Sequence, residues 1–348
     1  MRILIIGGTR FVGPRVVGRL ADAGHEVTIF HRGETETELS PDVRHIHGDR
    51  RDLLAFEDEF RQLAPQVVLD MIAYTEQDAA SLLQAFKGLA ERTVVLSSAD
   101  VYRAYGCLLG LQSGAPDSTP LSEDAPLRDA LYPYRAKAAG TDDPVYSYEK
   151  ILVERVVMSD ARLPCTILRL PAVYGAGDFQ HRLSEYLKRM DDGRPFIMLE
   201  EARAAWRWTR GYIDNVADAI ALSVTDERAT ARIYNVGERD ALTEAEWVRA
   251  VGRAAGWEGE VISVPGDMLP GGMAAGYNLE HHLAVDTSRI REELGYGERV
   301  ARDEALKRAV EWERAHPPEK IDPQQFDYAA EDAVLERLQK NRSEALRG

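Results

Sequence analysis

The hydrophobic pattern of the chain alternates between short apolar runs and longer amphipathic stretches. The segment Arg2–Ile6 ends in four consecutive apolar residues and is followed by a glycine pair, which is typical of a strand buried on both faces of a sheet. In the next stretch, Val12, Val16, Val17 and Leu20 fall on one face of a helix. Strands that alternate with helices at this spacing predict a parallel, doubly wound α/β sheet.

The same pattern continues along the chain. The predicted strands are 2–6, 26–30, 43–47, 67–71, 93–97, 165–170 and 232–236, and the predicted helices are 11–23, 52–63, 77–89, 146–159, 182–190, 213–224, 243–255, 286–295 and 302–314. Residues 103–143 and 191–210 lack a clear period, and a polar tail beyond Pro317-Pro318 contains an amphipathic stretch at 329–338. An irregular segment as long as 103–143 is usually functional or mobile.

The glycine pair after the first strand indicates a nucleotide site. Gly7 and Gly8 turn the chain sharply between the first strand and the first helix. A strand, a glycine turn and a helix in this order lay a pyrophosphate against backbone N–H groups and the positive end of the helix. A side chain at the turn would hold the phosphates away. The alternative is a plain turn whose glycines serve only the backbone geometry.

Composition and charge narrow the class of protein. The chain has 348 residues, of which 45% are apolar and 29% charged, as in an ordinary soluble globular enzyme. The 43 Lys and Arg against 58 Asp and Glu give a formal net charge of −15, which argues against nucleic-acid partners. The first strand begins at residue 2, leaving no room for a signal peptide, and no apolar run approaches the ~20 residues that span a bilayer. We therefore expect a cytoplasmic protein with no membrane partner.

Cysteine and histidine indicate no metal site at the level of the sequence. Cys107 and Cys165 are the only cysteines, too few for a disulfide framework, and no Cys/His cluster with metal-ligand spacing is recognised. The pair His281-His282 is interpreted as a loop feature rather than a metal site. We therefore expect no bound metal.

Tyr146 and Lys150 are the first candidates for chemistry. Four positions apart, they would share one face of the helix predicted at 146–159. An ammonium group beside a phenol lowers the pKa of the tyrosine, which can then act as an acid or base near neutral pH. Ser98 ends the fifth predicted strand, where ligands of open α/β sheets bind, and could hydrogen-bond the same substrate oxygen. Chance spacing and a simple strand-end turn are the alternatives.

These residues stand in a series of motifs that resembles the extended short-chain dehydrogenase/reductases of the NAD-dependent epimerase/dehydratase family. The likeness covers about residues 1–315. The matching segments are 7–13 (GGTRFVG), 48–49 (GD), 97–102 (SSADVY), 146–150 (YSYEK), 168–175 (LRLPAVYG), 212–217 (YIDNVA), 234–237 (YNVG) and 286–295 (DTSRIREELG). The resemblance implies a Rossmann-type doubly wound parallel sheet with a smaller, mostly helical C-terminal lobe.

The resemblance also implies a division of the chain. An NAD(P)-binding Rossmann domain would comprise 1–170, with 211–237 returning to it. Residues 171–210 and 238–315 would form the substrate lobe, most often for a nucleotide-linked sugar, and 316–348 a polar tail.

The roles of single residues follow from the same resemblance. Ser98, Tyr146 and Lys150 would be the catalytic triad, Asp49 would contact the adenine, and Pro171 would lie beside the nicotinamide. The cofactor-binding set that the resemblance implies is Gly7, Thr9, Arg10, Phe11, Val12, Gly13, His31, Arg32, Asp49, Arg50, Ile72, Lys150 and Pro171.

Several positions depart from the family pattern. Arg10 occupies a usual glycine position, as in a subgroup similar to the chloroplast stem-loop-binding proteins, which resemble epimerases yet bind RNA. Arg103 also stands where glycine is usual, and 48 residues separate Ser98 from Tyr146. The added chain would lie over the active site and indicates an unusual substrate.

Two functions therefore remain. The first is an NAD(P)-dependent epimerase or dehydrogenase/reductase for a sugar or nucleotide-sugar, and the second is a nucleotide-regulated RNA-binding protein. The Ser/Tyr/Lys set and the charge of −15 favour the enzyme.

Cofactor preference is predicted from the basic residues near the expected ribose site. His31-Arg32 replace the usual acidic residue after the second strand, and Arg10 lies in the glycine turn. Guanidinium groups suit a 2′-phosphate and offer no acceptor to a 2′-hydroxyl. The sequence therefore favours NADP over NAD.

A homodimer is predicted from two helices with surplus apolar residues. The helices at 77–89 and 146–159 follow adjacent strands and should pack side by side. Each carries more apolar residues than one sheet contact needs, namely Leu82, Leu83, Phe86, Leu89, Ile151, Leu152, Val156 and Val157. A two-fold dimer through a four-helix bundle would cover them, unless the long insert or the tail does so.

The residues after Ser98 bear on the type of reaction. In similar nucleotide-sugar 4,6-dehydratases a Thr-Asp-Glu run supplies the hydroxyl, the acid and the base of the elimination. Here the run is Ser98-Ala99-Asp100, and Ala99 cannot donate a proton. Asp100 is interpreted as a cap of the turn rather than a base. Epimerase or dehydrogenase/reductase chemistry is therefore predicted, not dehydration.

Overall fold

Seven parallel strands form the central sheet of the computed structural model, which describes residues 1–35, 39–269 and 276–345. They are β1 (Arg2–Ile6), β2 (Glu26–His31), β3 (Arg44–His47), β4 (Val67–Asp70), β5 (Arg92–Ser98), β6 (Cys165–Leu170) and β10 (Ile233–Asn235). Their order across the sheet is β10-β6-β5-β4-β1-β2-β3. The chain winds outward in both directions from β1 and β4, so the expected Rossmann-type fold is confirmed.

Helices cover both faces of this sheet. The first face carries α1 (Gly13–Asp22) and α8 (Ile213–Thr225), and the second carries α2 (Glu57–Leu63), α3 (Glu76–Phe86) and α5 (Lys150–Val157). The helices α3 and α5 pack side by side, as expected from their adjacent strands.

The first strand shows why the sheet is buried on both sides. Ile3 and Ile5 lie in the apolar cluster under α1, whereas Leu4 and Ile6 lie in the cluster under α3. Side chains alternate along a strand, so each of these residues is committed to one layer. Full burial of one such side chain contributes roughly 1.5–3 kcal/mol, which explains why a continuous apolar run identifies this strand.

A smaller lobe follows the carboxyl end of β6. Its elements are β7 (Ala172–Tyr174), α6 (Ser184–Asp191), β8 (Phe196–Glu200), α7 (Glu201–Ala205), β9 (Arg210–Tyr212), α9 (Glu244–Ala255), β11 (Glu260–Val264), α10 (Ser288–Leu294), α11 (Arg302–Ala315) and α12 (Tyr328–Ala345). The lobe is mostly helical, as expected, but β7 pairs with β9 and β8 pairs with β11 in two small parallel sheets. None of these four strands was predicted from the sequence, because they lie outside the regular alternation of strands and helices that identifies the central sheet.

The predicted polar tail is part of this lobe. Val334 of α12 is buried against Phe196, Met198 and Val264 of the β8–β11 sheet. Glu331, also on α12, pairs with Arg189 of α6 at 2.8 Å. The amphipathic stretch at 329–338 therefore lies in a longer, docked helix, while the other domain boundaries stay predictions.

The long segment between β5 and α5 is mostly irregular but tightly held. It opens with α4 (Arg103–Leu108), and its buried Arg128 donates to both carboxylate oxygens of Glu149 at 3.1 and 3.3 Å. Breaking a buried pair from one side costs about 3–5 kcal/mol, because the other charge is left uncompensated. The segment is thus fixed over the carboxyl edge of β5.

Two predicted helices differ from the structure in a way that affects the site. The helix expected at 146–159 begins only at Lys150, since the Glu149 carboxylate accepts the Ile151 N–H and caps it. The helix expected at 52–63 divides into a 3₁₀ turn, Arg50–Phe56, followed by α2, and Asp49 rather than Asp52 caps the turn. The remaining predicted elements agree within three residues at each end.

Within the described residues, no helix combines the length and the apolar character that a bilayer crossing requires. The compartment of the protein stays a prediction.

Candidate active site

The glycine turn after β1 has the geometry of an anion cradle. Gly7 and Gly8 both have a φ of +94°, a conformation that side-chain-bearing residues rarely adopt. A Cβ on Gly13 would lie 2.5 Å from the backbone carbon of Gly8, so this close approach requires glycine. The helix α1 starts here, and in the described structure no side chain caps it at Val12. The N–H of Gly13 donates to the carbonyl of Arg10 at 2.9 Å and Pro14 has no N–H, so α1 offers a phosphate mainly the positive end of its dipole.

Other predicted cofactor residues border the same turn. A Cβ on Gly7 would lie 3.1 Å from Cγ2 of Ile72, which follows β4. Phe11 lies within the turn, and its ring meets the ring of Phe179 edge to face at 6.0 Å. Pro171 joins β6 to β7. The carboxyl ends of β1, β4 and β6 thus bring these residues to one edge of the sheet, with Thr9 and Val12 in the turn itself.

Basic residues gather on the side of the turn that faces β2. Nε of Arg10 donates to Oγ1 of Thr35 at 2.9 Å, so Arg10 reaches the loop that carries Arg32. Arg32 pairs with Glu34 at 2.8 Å, and the two side chains are 51% and 57% exposed. Such an exposed pair is worth little and can exchange for another partner.

The two residues after β3 differ in what they can offer a cofactor. The Arg51 guanidinium lowers the pKa of the Asp49 carboxyl to about 2, so Asp49 is an ionised acceptor beside the basic loop. Arg50, in contrast, is only 7% exposed. Its guanidinium pairs with Asp70 and donates to Oγ of Ser81 at 3.2 Å. The Arg50 side chain therefore links the end of β4 to α3. A cofactor would contact the backbone of Arg50 rather than its guanidinium.

The chemistry centres on the end of β5, where a tyrosine meets Ser98. The hydroxyl of Tyr148 donates to Oδ2 of Asp100 at 2.8 Å, and the Ser98 side chain is close enough to lower the pKa of this phenol. Oγ of Ser98 also accepts the Asp100 N–H at 3.2 Å. Burial and the neighbouring Asp100 charge raise the pKa of Tyr148 well above 10. This phenol is thus a proton carrier that stays protonated near neutral pH.

Tyr146 does not share a helical face with Lys150, and this prediction is wrong. It lies in the turn before α5, where the Asp143 carboxylate accepts the N–H of Val145 at 3.0 Å. The Tyr146 ring rests on the guanidinium carbon of Arg135 at 4.7 Å from the ring centroid, and its carbonyl accepts from Nε of Arg135. The tyrosine that the fold brings to Ser98 is therefore Tyr148.

Lys150 is buried where β4 and β5 end. Its ammonium donates to the carbonyls of Ala73 at 2.6 Å and Leu96 at 2.8 Å, and it lies 4.7 Å from the centroid of the Tyr74 ring. Burial lowers the pKa of Lys150 to about 8. An ammonium has three donor hydrogens, and the carbonyls use two of them among the described residues. One donor is left for a ligand at the site.

Asp100 was expected to cap the turn after β5, and this prediction is wrong. The Ser98 hydroxyl has that role, and the Asp100 carboxylate instead accepts from two phenols, Tyr148 and Tyr134, the second at 3.0 Å. Tyr134 also shares a hydrogen bond of 2.8 Å with Tyr105. Asp100 is 5% exposed, and its Oδ1 has no hydrogen-bond partner among the described residues. Burial raises its pKa above the usual range for a carboxyl.

Sequence reasoning missed Tyr148, Asp100, Tyr134 and Tyr105 as members of one site. Tyr134 and Tyr105 lie in the aperiodic segment, where no pattern relates distant residues. One signal for Tyr148 was present in the sequence, because two tyrosines, Tyr146 and Tyr148, precede Lys150. Tyr146 would lie on the same face as Lys150 only if one continuous helix contained both residues. The capping residue Glu149 ends that helix before it reaches either.

Comparison with known proteins identifies the family to which the sequence is similar. The sequence profile described as "NAD dependent epimerase/dehydratase family" matches residues 3–237. The chain is 27% identical over 310 residues to 2′-dehydrokanamycin reductase of Streptomyces kanamyceticus, covering 86% of this chain and 79% of the reductase. It is 23% identical over 310 residues to chloroplast stem-loop binding protein of 41 kDa b of Arabidopsis thaliana, covering 85% and 74% of the two chains.

Solved structures share the fold. The Bordetella bronchiseptica enzyme WbmG, in complex with NAD and UDP, has a TM-score of 0.66 and 19% identity, with 91% of this chain and 96% of that chain covered. UDP-glucose 4-epimerase of Thermotoga maritima has a TM-score of 0.63 and 18% identity, with 90% and 99% covered. Because the family profile spans more than half of the chain, this protein belongs to the NAD-dependent epimerase/dehydratase family.

Proposed function

We propose that the protein is an NAD(P)-dependent epimerase or dehydrogenase/reductase that acts on a hydroxyl-bearing carbon of a sugar or nucleotide-sugar. The observation that carries the proposal is the contact of Ser98, Tyr148 and Asp100 beside Lys150, at the sheet edge that also holds the glycine turn. The names of the relatives agree with this class, since they include a reductase and structures with NAD and UDP.

The glycine turn and its neighbours fit a dinucleotide. The backbone at Gly7, Gly8 and Gly13 leaves the space that a pyrophosphate needs, and the start of α1 supplies the positive end of a helix dipole. Ile72, Pro171 and the remaining donor of Lys150 would hold the nicotinamide end. When bound, the nicotinamide supplies the hydride acceptor or donor of the reaction.

Tyr148 and Asp100 would move the proton that accompanies the hydride. When a substrate hydroxyl is oxidised, its proton passes to the Tyr148 oxygen while the Tyr148 proton passes to Oδ2 of Asp100. In the reverse direction Asp100 returns the proton through Tyr148 to the carbonyl oxygen. Ser98 would donate a hydrogen bond to the reacting substrate oxygen beside the phenol, and Lys150 supplies positive charge nearby. Both directions use the same atoms, as an epimerase requires.

Dehydration is not supported by this arrangement. Elimination of water needs an acid for the leaving hydroxide and a base for a carbon-bound proton. Ala99 has no acidic group, and the Asp100 carboxylate is held by Tyr134 and Tyr148. We therefore retain oxidation and reduction at one carbon as the proposed reaction.

NADP is expected to bind more tightly than NAD. Arg10 and Arg32 border the loop that follows His31 at the end of β2, and the positive charge of the two guanidinium groups suits a 2′-phosphate. Titration of the purified protein with both cofactors checks this preference. Arg32→Ala should weaken NADP roughly tenfold or more and leave NAD nearly unchanged, whereas Arg44→Ala, on the adjacent strand, should alter neither. Tighter binding of NAD by the native protein would contradict the preference.

A homodimer through α3 and α5 is proposed on a smaller surface than the sequence indicated. Leu82, Phe86, Ile151 and Val157 are buried within this chain, so only Leu83, Leu89, Leu152 and Val156 remain partly exposed. Light scattering at micromolar protein should give the mass of two chains. Leu83→Glu with Leu152→Glu should shift that mass to one chain, and a monomeric native protein would exclude the dimer.

An RNA-binding function is the alternative. The likeness to the chloroplast stem-loop binding protein supports it, while the net charge of −15 opposes it. Salt-sensitive retention of RNA, together with no affinity for NAD or NADP, would favour this alternative over the enzyme.

A further inference from the structure

Three histidines lie together where β2 and β3 end. His31 is the last residue of β2, and His45 and His47 belong to β3. The strands are parallel, with His31 opposite His47 and Ile29 opposite His45. Side chains two apart on a strand share a face, and directly paired residues do as well. The intervening Ile46 is buried on the other face, so all three imidazoles point to the same side.

The spacing of the rings suits a metal ion. Each histidine offers one ring nitrogen, and these three nitrogens all lie within 4.8 Å of one another. Nε2 of His31 and Nδ1 of His45 are 2.9 Å apart. Tetrahedral zinc with bonds of about 2.0–2.1 Å to nitrogen places its ligand atoms about 3.3 Å apart. Small rotations of the exposed side chains would bring the ring nitrogens from 2.9 Å to this separation, and the paired strands keep the three Cα atoms at fixed positions.

The surroundings leave the site accessible. His45 and His47 are exposed and His31 is half-buried, so an ion can enter from solvent. Nδ1 of His31 accepts the Gly33 N–H at 3.2 Å. A metal ion bound at Nε2 leaves the ring proton on Nδ1, which then no longer accepts the Gly33 N–H. Metal binding therefore replaces one exposed, weak hydrogen bond with a metal bond.

The loop after β2 is shaped around these rings. Gly33 has a φ of +78°, and a Cβ there would lie 3.3 Å from Cδ2 of His47. A residue with a side chain would press on an imidazole at this point. The close approach of the loop backbone keeps the His47 ring on the side of its two neighbours.

We propose that His31, His45 and His47 form a site for a divalent transition-metal ion, with zinc as the reference occupant. Three imidazole nitrogens suit zinc, copper and nickel and do not suit magnesium or calcium. Three protein ligands leave a coordination position open to water or to an oxygen of a ligand. The proposal departs from the expectation of no bound metal, because the His-x-His pair on β3 meets its third member from another strand, with His31 14 residues before His45.

The pair His281-His282, interpreted from the sequence as a loop feature, does not form such a site. His281 is 1% exposed, and Nδ1 of His282 accepts the backbone N–H of Arg207 at 3.2 Å. The adjacent residues of that pair thus point to different surroundings, in agreement with a loop feature.

Zinc binding to the full chain tests the proposal without any nucleotide or substrate, so its outcome is separate from that of the proposed function. The chain is freed of its purification tag and of metal, then titrated with ZnCl₂ by calorimetry. One ion per chain with micromolar or tighter affinity is expected. His45→Ala and His47→Ala should each weaken it at least tenfold, whereas His316→Ala, an exposed histidine on another element, should not. Cobalt should give the visible spectrum of a tetrahedral site.

Two results would overturn the site. One is the absence of saturable binding by the native protein. The other is binding that His45→Ala and His47→Ala leave unchanged while circular dichroism shows both variants folded, since the ion would then lie elsewhere.

Discussion

Tyr148→Phe is expected to lower turnover roughly hundredfold or more and to leave cofactor affinity nearly unchanged. The phenol hydroxyl is the only group removed, and it carries the proton between substrate and Asp100 in the proposed relay. Loss of a positioned acid or base typically costs about 10²–10⁴-fold. Steady-state kinetics and a cofactor titration on the same preparation separate the two effects.

Tyr146→Phe is the matched control for this variant. Both residues are tyrosines within two positions, but the Tyr146 ring rests on Arg135 outside the relay. Its removal should change turnover by less than about threefold, within the range of a surface substitution. If Tyr146→Phe were inactive and Tyr148→Phe active, the assignment of the tyrosine would be reversed in favour of the family spacing.

Asp100→Asn is expected to remove most activity without destabilising the fold. The side chain keeps its shape and one oxygen acceptor, but it can no longer take up the Tyr148 proton. The substitution removes the cost of burying a carboxylate but also a negative charge that interacts with Arg128 and Lys150. Because these effects oppose each other, the melting temperature should change little. A fall in the melting temperature that parallels the loss of activity would indicate a purely structural role.

The pH profile of this variant gives a second readout. Asp100 faces the phenols of Tyr134 and Tyr148 and the charges of Arg128 and Lys150, and burial is the largest influence, raising its pKa. A carboxyl must be ionised to accept a proton, so oxidation by the native enzyme should decline as the pH falls through this raised pKa. In Asp100→Asn that acid limb should vanish, whereas Asp124→Asn, an exposed residue of the same segment, should retain it.

Much of the framework could be predicted because its signals are local. The run Arg2–Ile6 is buried on both faces and therefore apolar throughout, and the glycines of the first turn are required by backbone geometry. Thr243 and Glu246 form a capping box at the start of α9, which begins within one residue of the predicted helix. Each of these features depends on neighbours a few residues away, which a single sequence displays.

The site was only partly predictable because its contacts join distant residues. Ser98 and Lys150 could be found from strand ends and motif spacing, but the choice between Tyr146 and Tyr148 depended on where α5 begins. That start is set by Glu149, whose carboxylate is also held by Arg128, 21 residues earlier. The helical spacing rule fails at such a helix end because the residues before the cap are not helical.

The same limit explains the other omissions. Tyr134 reaches Asp100 across 34 residues of a segment without periodicity. His31 reaches His45 because β2 and β3 are adjacent strands, a pairing that the sequence predicts only as a sheet and not as a register. Three-dimensional proximity of this kind becomes visible once the strand order and register are known.

The most direct test of the proposed reaction is product analysis with deuterium-labelled reduced cofactor. The native enzyme is incubated with candidate nucleotide-sugars, their free sugars and NAD(P), and product masses are followed. We expect an epimer of unchanged mass or a product that differs by two hydrogens, with deuterium delivered to carbon in any net reduction and little of either product from Tyr148→Phe. Loss of water that depends on Asp100, or full activity of Tyr148→Phe, would contradict hydride transfer supported by a Tyr148–Asp100 proton relay.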